Sequence, residues 1–208
     1  MKKILLFASI VVFLASCSSK PTFKLEVGIR NNNSLKDKQL VFTQQIDGKV
    51  VFADTTKIKK NNFSLKIPYK GPGLLFVSIL QSNIGDILLA AEDGIVQLNV
   101  EGNKTHIGGT LLNDRLQIYY TGSDSVSLLL ENLDKEYALQ QSNEPDNPNI
   151  HEEYRQKRNS LLEKNTDRIV AFIRENVDNP VGEYYFLTNY ITLPFERKKK
   201  CMVLQPKN

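Results

Sequence analysis

The hydrophobic period changes once along this chain, at Gly108-Gly109, and that change constrains the fold more than any other feature. Before it, apolar residues recur every second position. Phe23, Leu25, Val27 and Ile29 alternate with Lys24, Glu26, Gly28 and Arg30, as in a strand with one face on a core. Leu40 and Phe42 repeat the pattern ahead of Asp47-Gly48, a pair that tolerates positive φ and suits a tight hairpin into Val50, Val51 and Phe52. Asn61-Asn62 turns the chain into Phe63, Leu65 and Ile67. Leu74 to Leu80 and Ile87 to Ala91 are apolar on both faces, which fits strands covered from two sides. Asp93-Gly94 leads into Val96, Leu98 and Val100. Lys57, Lys59 and Lys60 read as charges protecting a sheet edge. After Gly109, Leu116, Tyr119, Tyr120, Val126, Leu130, Leu133 and Tyr137 fall at helical spacings, with Thr110 placed to cap the start. Pro145 and Pro148 interrupt that helix. A second helix spans about 150–176, burying Tyr154, Leu161, Leu162, Ile169, Phe172 and Ile173. Asn179-Pro180 and Leu193-Pro194 open two short helices. The expected fold is α+β: an antiparallel β-sandwich of seven or eight strands over 22–109, then a helical hairpin and short C-terminal helices over 110–208.

The N-terminus sets the location. Lys2 and Lys3 precede an apolar run from Ile4 to Leu14, too short for a permanent membrane span but suited to a secretory signal over 1–16. Leu14-Ala15-Ser16-Cys17 resembles the lipobox of bacterial lipoproteins, which implies a diacylglyceryl group on Cys17, cleavage before it and acylation, with palmitate as a typical chain, of the new amine. Residues 17–21 become a short tether. The resemblance implies a cell-envelope protein held by lipid, and Ser18-Ser19-Lys20-Pro21, with no acidic residues resembling a surface-export signal and Ser18 in place of a retention aspartate, points to the outer membrane facing the periplasm. Removing residues 1–16 from the 208 leaves 192 and, by removing Lys2 and Lys3, takes the formal charge from +4 to +2. So weak a charge implies no nucleic-acid partner. With Cys17 lipidated, Cys201 is the one remaining cysteine and has no internal disulfide partner.

Chemistry-bearing residues are sparse. Cys201 follows Lys198, Lys199 and Lys200, whose charge favours thiolate, so it is a candidate reactive thiol; a small packed residue is the plainer reading. His106 and His151 lie apart from any ligand cluster, and Glu152-Glu153 reads as a solvated first turn. No catalytic residues, metal site or cofactor are expected. Seven tyrosines concentrate in the helical half, either packing helices together or lining a partner groove. Asp54-Thr55-Thr56 and Asp124-Ser125-Val126 resemble a short O-glycosylation signal of Bacteroidetes secreted proteins, making Thr55 and Ser125 candidate glycan acceptors where they lie exposed in a loop.

Four stretches, in this order after a lipobox, resemble a domain of unknown function of the DUF 4369 type that precedes thioredoxin-like thiol-disulfide oxidoreductase domains in Bacteroidetes envelope proteins. They are Asp54-Thr55-Thr56 with Asn61-Asn62-Phe63-Ser64-Leu65; Glu92-Asp93-Gly94 with Val96, Leu98, Val100, Glu101 and Gly102; Ile107 through Asp114; and Glu175 through Gly182. The resemblance implies a redox-associated accessory region. It carries over no redox residues, since the Cys-x-x-Cys pair of fuller relatives is not in this sequence. The expected function is a non-catalytic, lipid-anchored binding or spacing module with an envelope protein partner. The alternatives are a truncated fragment of a membrane-tethered thiol-disulfide oxidoreductase, and a lipoprotein binding a small ligand or glycan that the sequence does not identify.

Overall fold

The computed structural model describes residues 22–202; Leu14, Ala15, Ser16 and Cys17 lie outside them. Eight strands come first: β1 (Thr22–Arg30), β2 (Gln39–Ile46), β3 (Lys49–Lys57), β4 (Asn62–Pro68), β5 (Gly73–Ile79), β6 (Ile87–Ala91), β7 (Ile95–Glu101) and β8 (Lys104–Gly108). Four helices follow: α1 (Leu111–Asn143), α2 (Pro148–Glu175), α3 (Pro180–Asn189) and α4 (Phe195–Met202). The strands form two four-stranded sheets, ordered β4-β1-β7-β8 and β3-β2-β5-β6. Neither sheet closes on itself. The pairing is antiparallel with one exception, β1 on β7.

The alternating pattern of β1 does what its period dictates. Phe23, Leu25, Val27 and Ile29 are buried and meet Leu40, Leu75, Leu89, Val96 and Leu98 in one core. The β2–β3 hairpin turns on Asp47 (φ 48°) and Gly48 (φ 70°), both left-handed, as a two-residue type I′ turn requires. β5 and β6 are apolar on both faces because the sandwich covers one and helices the other, with Phe76 of β5 edge-on to Tyr184 of α3 at 5.9 Å. β3 is an edge strand, and Lys57 closes it, while Lys59 and Lys60 sit in the turn to β4.

One inward position breaks the pattern. Gln44 continues the Leu40–Phe42 face and is fully buried; its Nε2 donates to the Gly71 carbonyl at 3.2 Å, and its Oε1 has no partner. An unpaired buried amide oxygen costs about 1–3 kcal/mol. Gln44→Met, with the same length and no polar atom, is therefore expected to unfold at an equal or higher urea midpoint, by up to about 1 kcal/mol.

The two long helices form the antiparallel hairpin. At 1.5 Å per residue, the 33 residues of α1 span about 50 Å, against about 30 Å for the nine-residue β1. Leu128 lines the same surface as Asn103 and Lys104 of the β7–β8 turn, so it lies level with that end of the sandwich. Beyond it α1 packs on α2: Tyr137 stacks on Tyr154 at 4.2 Å, and Tyr154 donates to Asp134 at 2.8 Å. The hairpin thus extends about 20 Å past the strands.

Candidate functional site at the sandwich–helix junction

β8 and β6 are the edge strands on one side of the sandwich, and an edge exposes unpaired backbone N–H and C=O groups. The first turns of α1 satisfy them with side chains. Asn113, fully buried, accepts from the Ala90 N–H and donates to the Ala90 carbonyl, both at 2.9 Å, as a neighbouring strand would. One turn on, Gln117 accepts from the Ile107 N–H of β8 at 2.7 Å. Another turn on, the Tyr120 hydroxyl donates to the Leu88 carbonyl of β6 at 3.1 Å. Spacings of four and three put all three on one helix face, so α1 is laced to both sheets.

Thr110 occupies the N-cap position of α1 but makes no capping bond. Its hydroxyl donates at 2.5 Å to Glu92 Oε2, which also accepts the Leu112 N–H at 2.9 Å. The strand β6 thus supplies the cap by way of the residue that follows it, and its negative charge suits the helix N-terminus. Beside it, at the C-terminal end of α2, buried Asn176 donates to Phe172 O and accepts from Asn179 and Arg115. Asn179 then caps α3 by accepting the Val181 and Gly182 N–H groups.

Between these junctions lies an aromatic cluster: Tyr119 contacts Phe172 and Tyr185 at 4.4 Å each, and Tyr185 meets Tyr184 edge-on at 5.3 Å. Arg168 of α2 lies 4.6 Å over the Tyr119 ring and donates to the Tyr119 carbonyl at 2.8 Å. Burial raises the hydroxyl pKa values of Tyr119, Tyr120 and Tyr185 above the ordinary 10. Above about pH 10 the unfolded chain releases protons that the folded one holds, so stability falls as pH rises there and is intact below. A scan of melting temperature from pH 8 to 12 is expected to show that decline, made shallower in Tyr185→Phe by the slope of one titrating group, about 1.4 kcal/mol per pH unit.

Beyond Gln117, α1 and β8 diverge around an open cleft of about 990 Å³ whose lining includes Arg30, Asn99, Lys104, His106, Tyr120 and Asp124. His106 is exposed there on β8. His151 is on α2 with Nδ1 3.3 Å from the Tyr137 hydroxyl. Glu152 is held below the usual carboxylate range by its bonds to Gln156 and Arg155.

Cys201 lies on α4, 3% exposed. Burial raises its thiol pKa, and the one charge opposing this is Arg174 of α2 rather than the neighbouring lysines. Lys198 instead lies over Tyr190 and Lys199 over Phe195, each at 4.6 Å. The site thus runs against thiolate activation. Thr55 is exposed on edge strand β3, its N–H bonded to Asp54 Oδ1 at 2.7 Å. Ser125 is exposed on α1 and donates to the Thr121 carbonyl at 2.8 Å. Both are accessible, but regular structure holds them rather than the loops their acceptor role calls for. Among the described residues no group of three or more His, Cys, Asp or Glu side chains is placed to hold a metal ion.

Three of the four stretches singled out in the sequence meet at this junction: Glu92, the Thr110–Asp114 turn and the Asn176–Gly182 turn. Residues 23–116 match the family model described as Domain of unknown function (DUF4369). The DUF4369 match therefore ends at Leu116, within the first two turns of α1, and takes in the Glu92 and Asn113 contacts. Residues 1–18 match the prokaryotic membrane lipoprotein lipid attachment site, so a lipid anchor in the cell envelope is supported. No helix among the described residues is long and apolar enough to cross a membrane. No curated protein and no solved structure matches the chain.

Proposed function

We propose that this protein is a non-catalytic, lipid-anchored spacing and binding module on the periplasmic face of the outer membrane, working beside a thioredoxin-like redox partner. The lacing of α1 to both sheet edges by Asn113, Gln117 and Tyr120 carries this reading, because it turns a sandwich and a hairpin into one stiff body of a length suited to holding a partner off the membrane. The buried, up-shifted Cys201 is consistent with a chain that does no thiol chemistry itself. Exposed Leu187, Ile191 and Phe195 on and between α3 and α4 offer that partner an apolar face. Photo-crosslinking from Ile191 in native envelopes is expected to capture a thioredoxin-fold protein, and the purified lipoprotein is expected to leave insulin disulfides intact. Capture of a glycan-uptake protein, or insulin reduction, would refute the proposal. The 990 Å³ cleft favours a second reading, a small-ligand or glycan-binding lipoprotein. Its test is saturable shift of tryptophan fluorescence in Tyr120→Trp on adding oligosaccharides.

A further inference from the structure

Cys17 and Thr22 are five residues apart, and a chain spans at most about 3.6 Å per residue, so β1 starts within about 18 Å of the anchored sulfur. The pairing puts a defined end of the sandwich beside it. Thr22 pairs with Pro68 and Lys24 with Ile95; Pro68 runs on to Gly73, which pairs with Ala91, and the β2–β3 turn joins them because Gln45 pairs with both Leu74 and Val50. This end displays Val50 (60% exposed), Ile95 (46%) and Leu111 (64%), with exposed Lys49 and Lys70 beside them. The opposite end turns through Asn31–Asn33, Gln81–Asn83 and Gly102–Asn103, and its exposed large apolar residues are Leu80 on the sandwich (43%) and, level with that end on α1, Leu128 (58%).

We propose that the Val50–Ile95–Leu111 end of the sandwich lies on the bilayer that holds the anchor, its three apolar side chains in the headgroup layer and the helical hairpin pointing away. The proposal rests on the lipid-anchored reading. Lys49 and Lys70 reach phosphates with their stems along apolar surface, whereas Asp47 and Asp93, also exposed at this end, offset their charge. Apolar insertion is then the attractive term, and contact should persist on vesicles without anionic lipid.

The test uses the full lipidated chain in phosphatidylcholine vesicles, with environment-sensitive fluorophores on cysteines introduced singly at Val50, Ile95, Leu111, Gln81 and Asp146, and far-UV circular dichroism to verify folding. Brominated lipid is expected to quench the first three labels at least twofold and to leave Gln81 and Asp146 unchanged. Equal quenching at all five positions, or quenching at Gln81 alone, overturns the proposal while leaving the anchor intact. Failure of the protein to float with the vesicles overturns both.

Discussion

Asn113→Ala lowers the stability of the folded protein by about 3–5 kcal/mol, seen as a fall in the urea midpoint with an unchanged slope. The variant strips partners from two backbone groups of Ala90, a residue with no exposed surface, and each orphaned buried group costs about 1–3 kcal/mol. Gln117→Ala is the comparison. It releases one backbone group, the Ile107 N–H, where Asn113→Ala releases two, and the expected loss is about half as large, about 1–3 kcal/mol. If the two variants unfold at the same midpoint, the lacing of α1 to β6 is not what holds the helix to the sandwich.

Gly182→Ala is the second large effect, with a loss of about 3 kcal/mol or more. A Cβ at Gly182 would overlap the backbone carbonyl of Asn176, and that carbonyl cannot swing aside because it accepts the Asn179 N–H at 3.2 Å in the turn between α2 and α3. Overpacking against fixed backbone costs more than overpacking against a side chain, which can find another rotamer. Gly85→Ala, where the added methyl meets nothing within 4 Å, should move the midpoint little. Thermal unfolding of both variants decides the point, and a Gly182→Ala midpoint within a degree of the parent rules out the close approach.

The strand pattern was legible because a half-buried strand must alternate and a doubly covered one must not, and 23–29 and 87–91 obey those two rules in turn. The Asp47-Gly48 hairpin was equally plain, since few residue pairs accept two left-handed conformations. The parallel contact of β1 with β7 was not, because nothing local to residues 24–30 distinguishes a partner six strands later in the chain from the adjacent β2. Asn113 and Gln117 were passed over because polar residues on an amphipathic helix are ordinarily solvated. The signal that finds them is angular: Asn113 falls on the same stripe as Leu116 and Tyr120, and a polar side chain within an apolar stripe must have a buried partner. Thr110 holds the cap position that its place in the sequence implies, but the acceptor for the helix N–H comes from Glu92, eighteen positions earlier, which no local pattern marks. The resemblance pointed at these stretches without saying what they do.

The position of β1 has a mechanical consequence. It is an inner strand, bonded along its length to β4 on one side and β7 on the other, and it is also the strand to which the lipid tether leads. A force applied through the anchor loads β1 along its own axis. Two rows of hydrogen bonds then share that load, so the strand joined to the tether is held on both sides.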